Sequence, residues 1–244
     1  MTDSKLNHSD FDAFSSIYLH LRNKEGRLLN DEQVRSLPSA DTLDSVLQSE
    51  WEQRADSLKK LSRILKKDFK RDSCILDLGC GNGWMSNAMA KLGFNTTGMD
   101  INLKELNQAK RVFQRENLDF ILASIFDWKP QKEYKAVIIS AALQYFHSPK
   151  ELFDRLFTIM PQLESVFICD TPFYSKKEKE AARKRSLLYY QSQGSEEMSA
   201  YYYHFSLEDL GFNPNIRVST SSALFRVFNP NRTTFPIIEI SASK

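Results

Sequence analysis

The chain has 244 residues, 41% hydrophobic and 26% charged, a globular composition that excludes a disordered or fibrous chain. Lys and Arg number 33 against 31 Asp and Glu, so the net charge of +2 supplies no global basic field for non-specific nucleic-acid binding. No apolar run approaches the roughly 20 residues of a bilayer span, and the polar residues 1–10 lack the apolar region of a signal peptide. Three scattered cysteines (Cys74, Cys80, Cys169) suit neither a disulfide framework nor a zinc site. The expected setting is a reducing cytoplasm, without metal.

Residues 1–48 are mixed and polar, with a weakly helical stretch around 14–21 and a break at Leu37-Pro38. From Trp51, the residues Ala55, Leu58, Leu61 and Leu65 recur at helical spacing and predict a helix to about residue 67, with Lys59, Lys60, Lys66 and Lys67 in solvent. Residues 1–70 therefore read as an N-terminal helical cap on a domain spanning 71–244.

After Arg71, short apolar runs alternate with amphipathic helices. Residues 74–78 read as a strand, Met85, Ala88, Met89 and Leu92 as a helix face, and 94–99 as a second strand. Asn102 followed by Glu105 predicts a capping-box start for a helix carrying Leu106, Ala109 and Phe113. Strands follow at 120–122 and 136–139. Ser148-Pro149-Lys150-Glu151 then opens a further helix, and a fifth strand spans 166–169. This rhythm predicts βαβ units and a mostly parallel sheet. A charged, then tyrosine-rich insert covers about 171–214, followed by strands at 216–220 and 235–240.

Gly is scarce, with 8 residues, yet Gly79, Gly81 and Gly83 crowd one turn in Asp77-Leu78-Gly79-Cys80-Gly81-Asn82-Gly83. In an open α/β sheet, the turn after the first strand is where ligands sit. A dinucleotide loop, G-x-G-x-x-G, wants its third glycine where Trp84 stands. The pattern here is instead acid-x-G-x-G-x-G, with Asp100 ending the second strand.

At these residues the chain resembles motif I of the class I S-adenosylmethionine (AdoMet)-dependent methyltransferases. The resemblance covers about residues 72–170 and implies a Rossmann-like, doubly wound seven-stranded sheet. It implies AdoMet as cofactor and S-adenosylhomocysteine (AdoHcy) as product. Asp77, Gly79, Cys80, Gly81, Asn82 and Gly83 would form the cofactor loop, Asp100 would bind the ribose, and Ile101 would pack on the adenine. Ser124 and Ile125 fall where the family often places an acid for the adenine amino group, with Asp127 as a substitute. Ser140 opens the loop where cofactor meets acceptor. Family members often close a helix over the cofactor, which places Arg54 either at the AdoMet carboxylate or on the surface.

Methyl transfer is an in-line displacement that needs alignment of donor and acceptor and removal of the acceptor's proton. Seven of nine tyrosines lie between Tyr145 and Tyr203, as an aromatic-lined lid over a planar or cationic acceptor or as packing of the insert onto the sheet. His204 is the candidate base or a structural histidine, Asp170 an acceptor-orienting acid or a cap, and Tyr145 the third catalytic candidate. The expected acceptor is a small molecule, taking methyl on oxygen or nitrogen. The basic run 176–185 keeps open an RNA or protein methyltransferase, and a non-catalytic AdoMet-fold module is the rival outside enzymes.

Overall fold

The computed structural model describes residues 8–218 and 235–241. Three helices precede the sheet: α1 (His8–Lys24), α2 (Asp31–Ser36) and α3 (Ser45–Asp68). α3 starts before Trp51 because the Asp44 carboxylate caps it, accepting from the amides of Val46 and Leu47. α2 carries no apolar periodicity. It is fixed by a reciprocal Asn30–Gln33 capping box and stops at the Leu37-Pro38 break.

The strands are β1 (Cys74–Leu78), β2 (Asn95–Asp100), β3 (Leu118–Leu122), β4 (Tyr134–Ser140), β5 (Ser165–Cys169), β6 (Asn215–Val218) and β7 (Ile237–Ser241). Between them lie α4 (Trp84–Lys91), α5 (Leu103–Val112), α6 (Pro149–Ile159) and α7 (Lys176–Ser192). The order across the single seven-stranded sheet is β3-β2-β1-β4-β5-β7-β6. β1 to β5 run parallel, and β7 pairs antiparallel with both β5 and β6. The predicted Rossmann-like sheet is present. The expected strand at 216–220 lies within the described residues only to Val218.

Alternate residues of the central strands feed two cores, as the period of a pleated strand requires. Ile75, Ile138 and Phe167 pack with Trp51, Leu61 and Leu65 of α3 and Met85 and Met89 of α4. Leu76, Val137 and Ile168 face the other way, onto Leu152, Phe153 and Leu156 of α6. The cap thus shares the sheet's own core. α6 begins as its sequence predicts, with Ser148 accepting from the Glu151 amide and Pro149 in the first turn.

A third cluster joins Phe14, Tyr18 and Leu21 of α1 to Tyr190 of α7 and to Met198, Tyr201 and Tyr202 beyond it. The insert's aromatics therefore divide: Tyr190, Tyr201 and Tyr202 pack with the N-terminal helix, while Phe173, Tyr203, Phe205 and Phe212 pack onto the α6-side core of the sheet. Periodicity identifies buried rings but not the element that receives them.

Candidate active site

β1 and β4 are neighbours although β2 and β3 intervene in sequence, so the connections diverge on either side of the β1/β4 seam. Such a switch point opens a crevice at the carboxyl ends of the strands. The glycine loop lies there. Gly79 has φ +75°, and a Cβ on it would stand 2.6 Å from the Ala142 Cβ, so only glycine passes between β1 and the β4 loop. At the ends of β4 and β5, Ala141 and Asp170 also adopt positive φ, of 51° and 53°. Strained backbone of this kind at two adjacent strand ends marks a functional edge.

Two cavities meet at this edge. The smaller, about 100 Å³, is lined by Asp77, Gly79, Cys80, Gly81, Asn82, Trp84 and Ser140 and, from the cap, by Tyr18, Arg22, Glu50 and Arg54. The larger, about 1170 Å³, runs along Ile101, Leu103, Ser124 and Asp127, under Ser15 and Leu19 of α1. Arg27, Leu29, Asn82 and Glu105 line both, so the two form one cleft.

Most of the predicted cofactor residues line this cleft, with three exceptions. Gly83 is buried as the N-cap of α4, and its φ of +79° and contact with Phe120 give it a packing role. Ile125 is 2% exposed and belongs to the α6-side core, because the turn after β3 points it inward while Ser124 faces the cleft. Asp100 lies between the cavities and lines neither. Its two carboxylate oxygens accept from the amides of Gly81 and Asn102, both at 2.8 Å.

Asp77 accepts a short bond from the Ser86 hydroxyl, and burial pushes its carboxyl up to about 7. Asp100 and Glu105 are likewise raised by burial. Glu105 departs from its predicted part. Asn102 caps α5, but Glu105 does not return the bond; its carboxylate sits against Gly81.

The three catalytic candidates are not brought together on the cleft wall. Ser140 donates to Asp170 at 2.8 Å, and Asp170 is buried behind it, its carboxyl raised by burial against the opposing charge of Arg54. Tyr145 packs on Phe14 and, edge-on, on Tyr18 and Tyr202. His204 is turned toward α7. A ring nitrogen shares a 2.9 Å hydrogen bond with the Ser186 hydroxyl, and Tyr174 and Tyr202 flank it. Burial lowers its pKa, with help from Arg185, Arg183 and Lys179. These contacts fit the structural alternative for His204.

Arg54 is no surface residue. Its guanidinium sits 4.8 Å above the Trp51 ring, and Trp51 meets Trp84 edge-on at 5.1 Å beside the loop. Glu50 and Trp51, at helical spacing with Arg54, line the same wall, whereas sequence reasoning missed Tyr18, Arg22 and Arg27. The only local signal was the Tyr18–Arg22 spacing of one helical turn, which occurs on any polar helix. The basic run became the start of α7, where Lys176 and Lys179 pair with Glu208 and Asp209, as a solvated face does.

A Rossmann-like sheet, an acid–glycine loop at its switch point and an acid ending β2 define the architecture of AdoMet-dependent methyltransferases. The chain belongs to the methyltransferase domain family, whose model matches residues 47–215. It is 32% identical over 96 residues to malonyl-[acyl-carrier protein] O-methyltransferase 2 of Ilyobacter polytropus, a match covering 38% of this chain and 37% of that protein. Over 39 residues it is 51% identical to a ubiquinone biosynthesis O-methyltransferase of Colwellia psychrerythraea, covering 16% of each. The chain thus spans little more than a third of the length of the first of these relatives. The structure of magnesium protoporphyrin IX methyltransferase from Synechocystis, with bound AdoHcy, superposes with a TM-score of 0.62 at 17% identity, covering 94% of this chain and all of that one. That likeness is one of fold. Among the described residues no helix is long and apolar enough to cross a membrane, and no cluster of His, Cys, Asp and Glu could hold a metal.

Proposed function

We propose that this chain transfers the methyl group of AdoMet to oxygen or nitrogen of a small molecule, with residues 1–70 acting as a cap over the site. The single observation that carries the reading is the Asp77–Gly83 loop opening onto a cleft with two connected chambers. The smaller suits the amino-acid part of the cofactor, and the larger, with Ile101 and Ser124 on its wall, suits the adenosine. The bound cofactor supplies an electrophilic methyl on a sulfonium. The chain's own residues position it. The glycine loop allows close approach, Asp100 fixes it through the Gly81 amide between the two chambers, next to where the ribose would lie, and Arg54 lines the chamber for the carboxylate.

The reading is supported by the family match and by the names of the relatives, which act on small or carrier-linked acceptors. Calorimetry with AdoHcy tests it. Binding to the wild type, weakened more than tenfold in Asp100→Ala, is the expected result. No heat with either AdoMet or AdoHcy would leave a non-catalytic module.

A further inference from the structure

Asn102 and Glu105 stand at the N-cap and third positions of α5, where a capping box would turn the Glu105 carboxylate back onto the Asn102 amide. That amide is already taken, because it donates to Asp100 at 2.8 Å. Displaced from the box, Glu105 turns toward the glycine loop. A Cβ on Gly81 would stand 3.2 Å from its Oε2 and 3.7 Å from its Oε1, so both oxygens lie over that glycine. Among the described residues, no group donates a hydrogen bond to this carboxylate and no cation pairs closely with it. Burial and the Asp100 charge make it hold a proton more tightly than usual, with Arg22 and Arg54 pulling the other way.

Asp100 is differently placed. Its two oxygens are occupied by the Gly81 and Asn102 amides, and it lines neither chamber. Glu105 lines both. In the cofactor the sugar joins the amino-acid part to the adenine, so it lies where the chambers meet. A ribose presents two neighbouring hydroxyls, each able to donate and to accept. A carboxylate with two uncommitted oxygens matches that pair, and charge-assisted bonds of this kind are about twice as strong as neutral ones.

A second group at the same place lacks a partner. Asn102 is 2% exposed and lines the larger chamber. Its Oδ1 accepts from the Lys104 and Glu105 amides, which leaves Nδ2 as a buried donor with no acceptor. An unfilled buried donor is costly. A ribose hydroxyl can fill it while giving its own proton to a hydrogen bond with Glu105. Donor and acceptor are thus offered side by side at the start of α5, as a hydroxyl-bearing ligand requires.

We infer that Glu105 is the ribose ligand of this chain: its carboxylate, kept out of the capping box by Asp100, accepts from the two cofactor hydroxyls. This rests on the methyltransferase reading and deepens it at the cofactor site. The family pattern gives the ribose to the acid that ends β2. Here that acid holds the loop and the start of α5 through two backbone amides, and the contact with the sugar passes to the next turn of the chain. Two roles that one carboxylate would otherwise combine are divided between two.

The test is calorimetric titration of the full chain with AdoHcy and with its 2′-deoxy and 3′-deoxy analogues. Wild type should bind each analogue at least tenfold more weakly than AdoHcy. Glu105→Ala should weaken AdoHcy at least tenfold and bind all three ligands within threefold of one another. Glu105→Gln keeps the shape and one accepting oxygen, should retain part of the discrimination, and carries the test if the alanine variant does not fold. Asp100→Asn should weaken all three ligands by a similar factor and keep the wild-type preference for the intact ribose. Wild-type indifference to the hydroxyls, or full discrimination surviving in either Glu105 variant, would overturn the inference. So would discrimination lost in Asp100→Asn but kept in Glu105→Ala, which would return the ribose to Asp100. Failure of the wild type to bind AdoHcy is a different result and removes the methyltransferase reading itself.

Discussion

Asp77 shows how a single side chain couples the site to stability. Its carboxyl is 1% exposed and raised to about 7 in the folded chain, against about 4 when unfolded. The folded state therefore holds a proton that the unfolded state has lost across this window. Its contribution is fully present below pH 4 and is lost as pH rises toward 7. Asp77→Asn keeps an oxygen for the Ser86 hydroxyl and removes the buried charge. The variant should be more stable than wild type at pH 8, by on the order of 1–3 kcal/mol, with the difference shrinking toward pH 4. Denaturant melts across that range would show it, and a gap that stayed constant with pH would refute the assignment. Gly83 acts through shape. A methyl group there would meet the Phe120 ring at 2.6 Å and the Ala109 Cβ at 2.8 Å on a left-handed backbone. Gly83→Ala should cost about 2–3 kcal/mol, read as a lowered Tm.

Among the elements, α1 and α5 were the least legible. α5 was placed correctly, but Glu105 was assigned to a capping box and instead meets the loop that crosses in front of it. Local sequence knows the spacing of Asn102 and Glu105, not the approach of Gly81 from another strand. α1 looked weakly helical because its burial comes from the insert far along the chain. Tyr202 contacts Tyr145, Tyr190 and His204, linking the β4 loop to α7 beside the α1 cluster. Tyr202→Ala should loosen α1 against the sheet by about 1–3 kcal/mol. Hydrogen exchange should rise in α1 and α7 while β1 and β4 stay protected. Uniform loss of protection would place Tyr202 in the global core instead.

At the level of the whole molecule, the antiparallel edge is tied to the cap by one polar network. Glu239 of β7 accepts from the Ser165 hydroxyl of β5 and from Asn215 and Arg217 of β6, and Arg217 also reaches Asp68 at the end of α3. Burial alone would raise Glu239. The Ser165 hydroxyl, Arg217 and Asn215 outweigh it and hold the carboxyl below the usual range. That stability is present above about pH 4 and is lost as pH falls through the lowered value. Glu239→Ala should cost about 3 kcal/mol near neutrality, by leaving Arg217 and Ser165 without their acceptor. It should also flatten the acid limb of the stability curve. An unchanged acid limb would separate the network from acid unfolding.

The amino-acid sequence by itself determined the βαβ order, the position of the glycine loop and the exclusion of a dinucleotide motif. Each of these depends on neighbours a few residues apart: the period of a strand, the period of a helix, and three glycines within five positions. Tertiary structure alone decided which side chains of the cap and insert face the cleft. Arg22, Arg27 and Glu50 come to the Asp77–Gly83 loop because α1 and α3 pack across the carboxyl edge of the sheet. His204 turns toward Ser186 for the same kind of reason, since α7 of the insert packs beside it and against α1. Burial and charge proximity are properties of packed surfaces, and contacts across long sequence separations leave no local pattern to read.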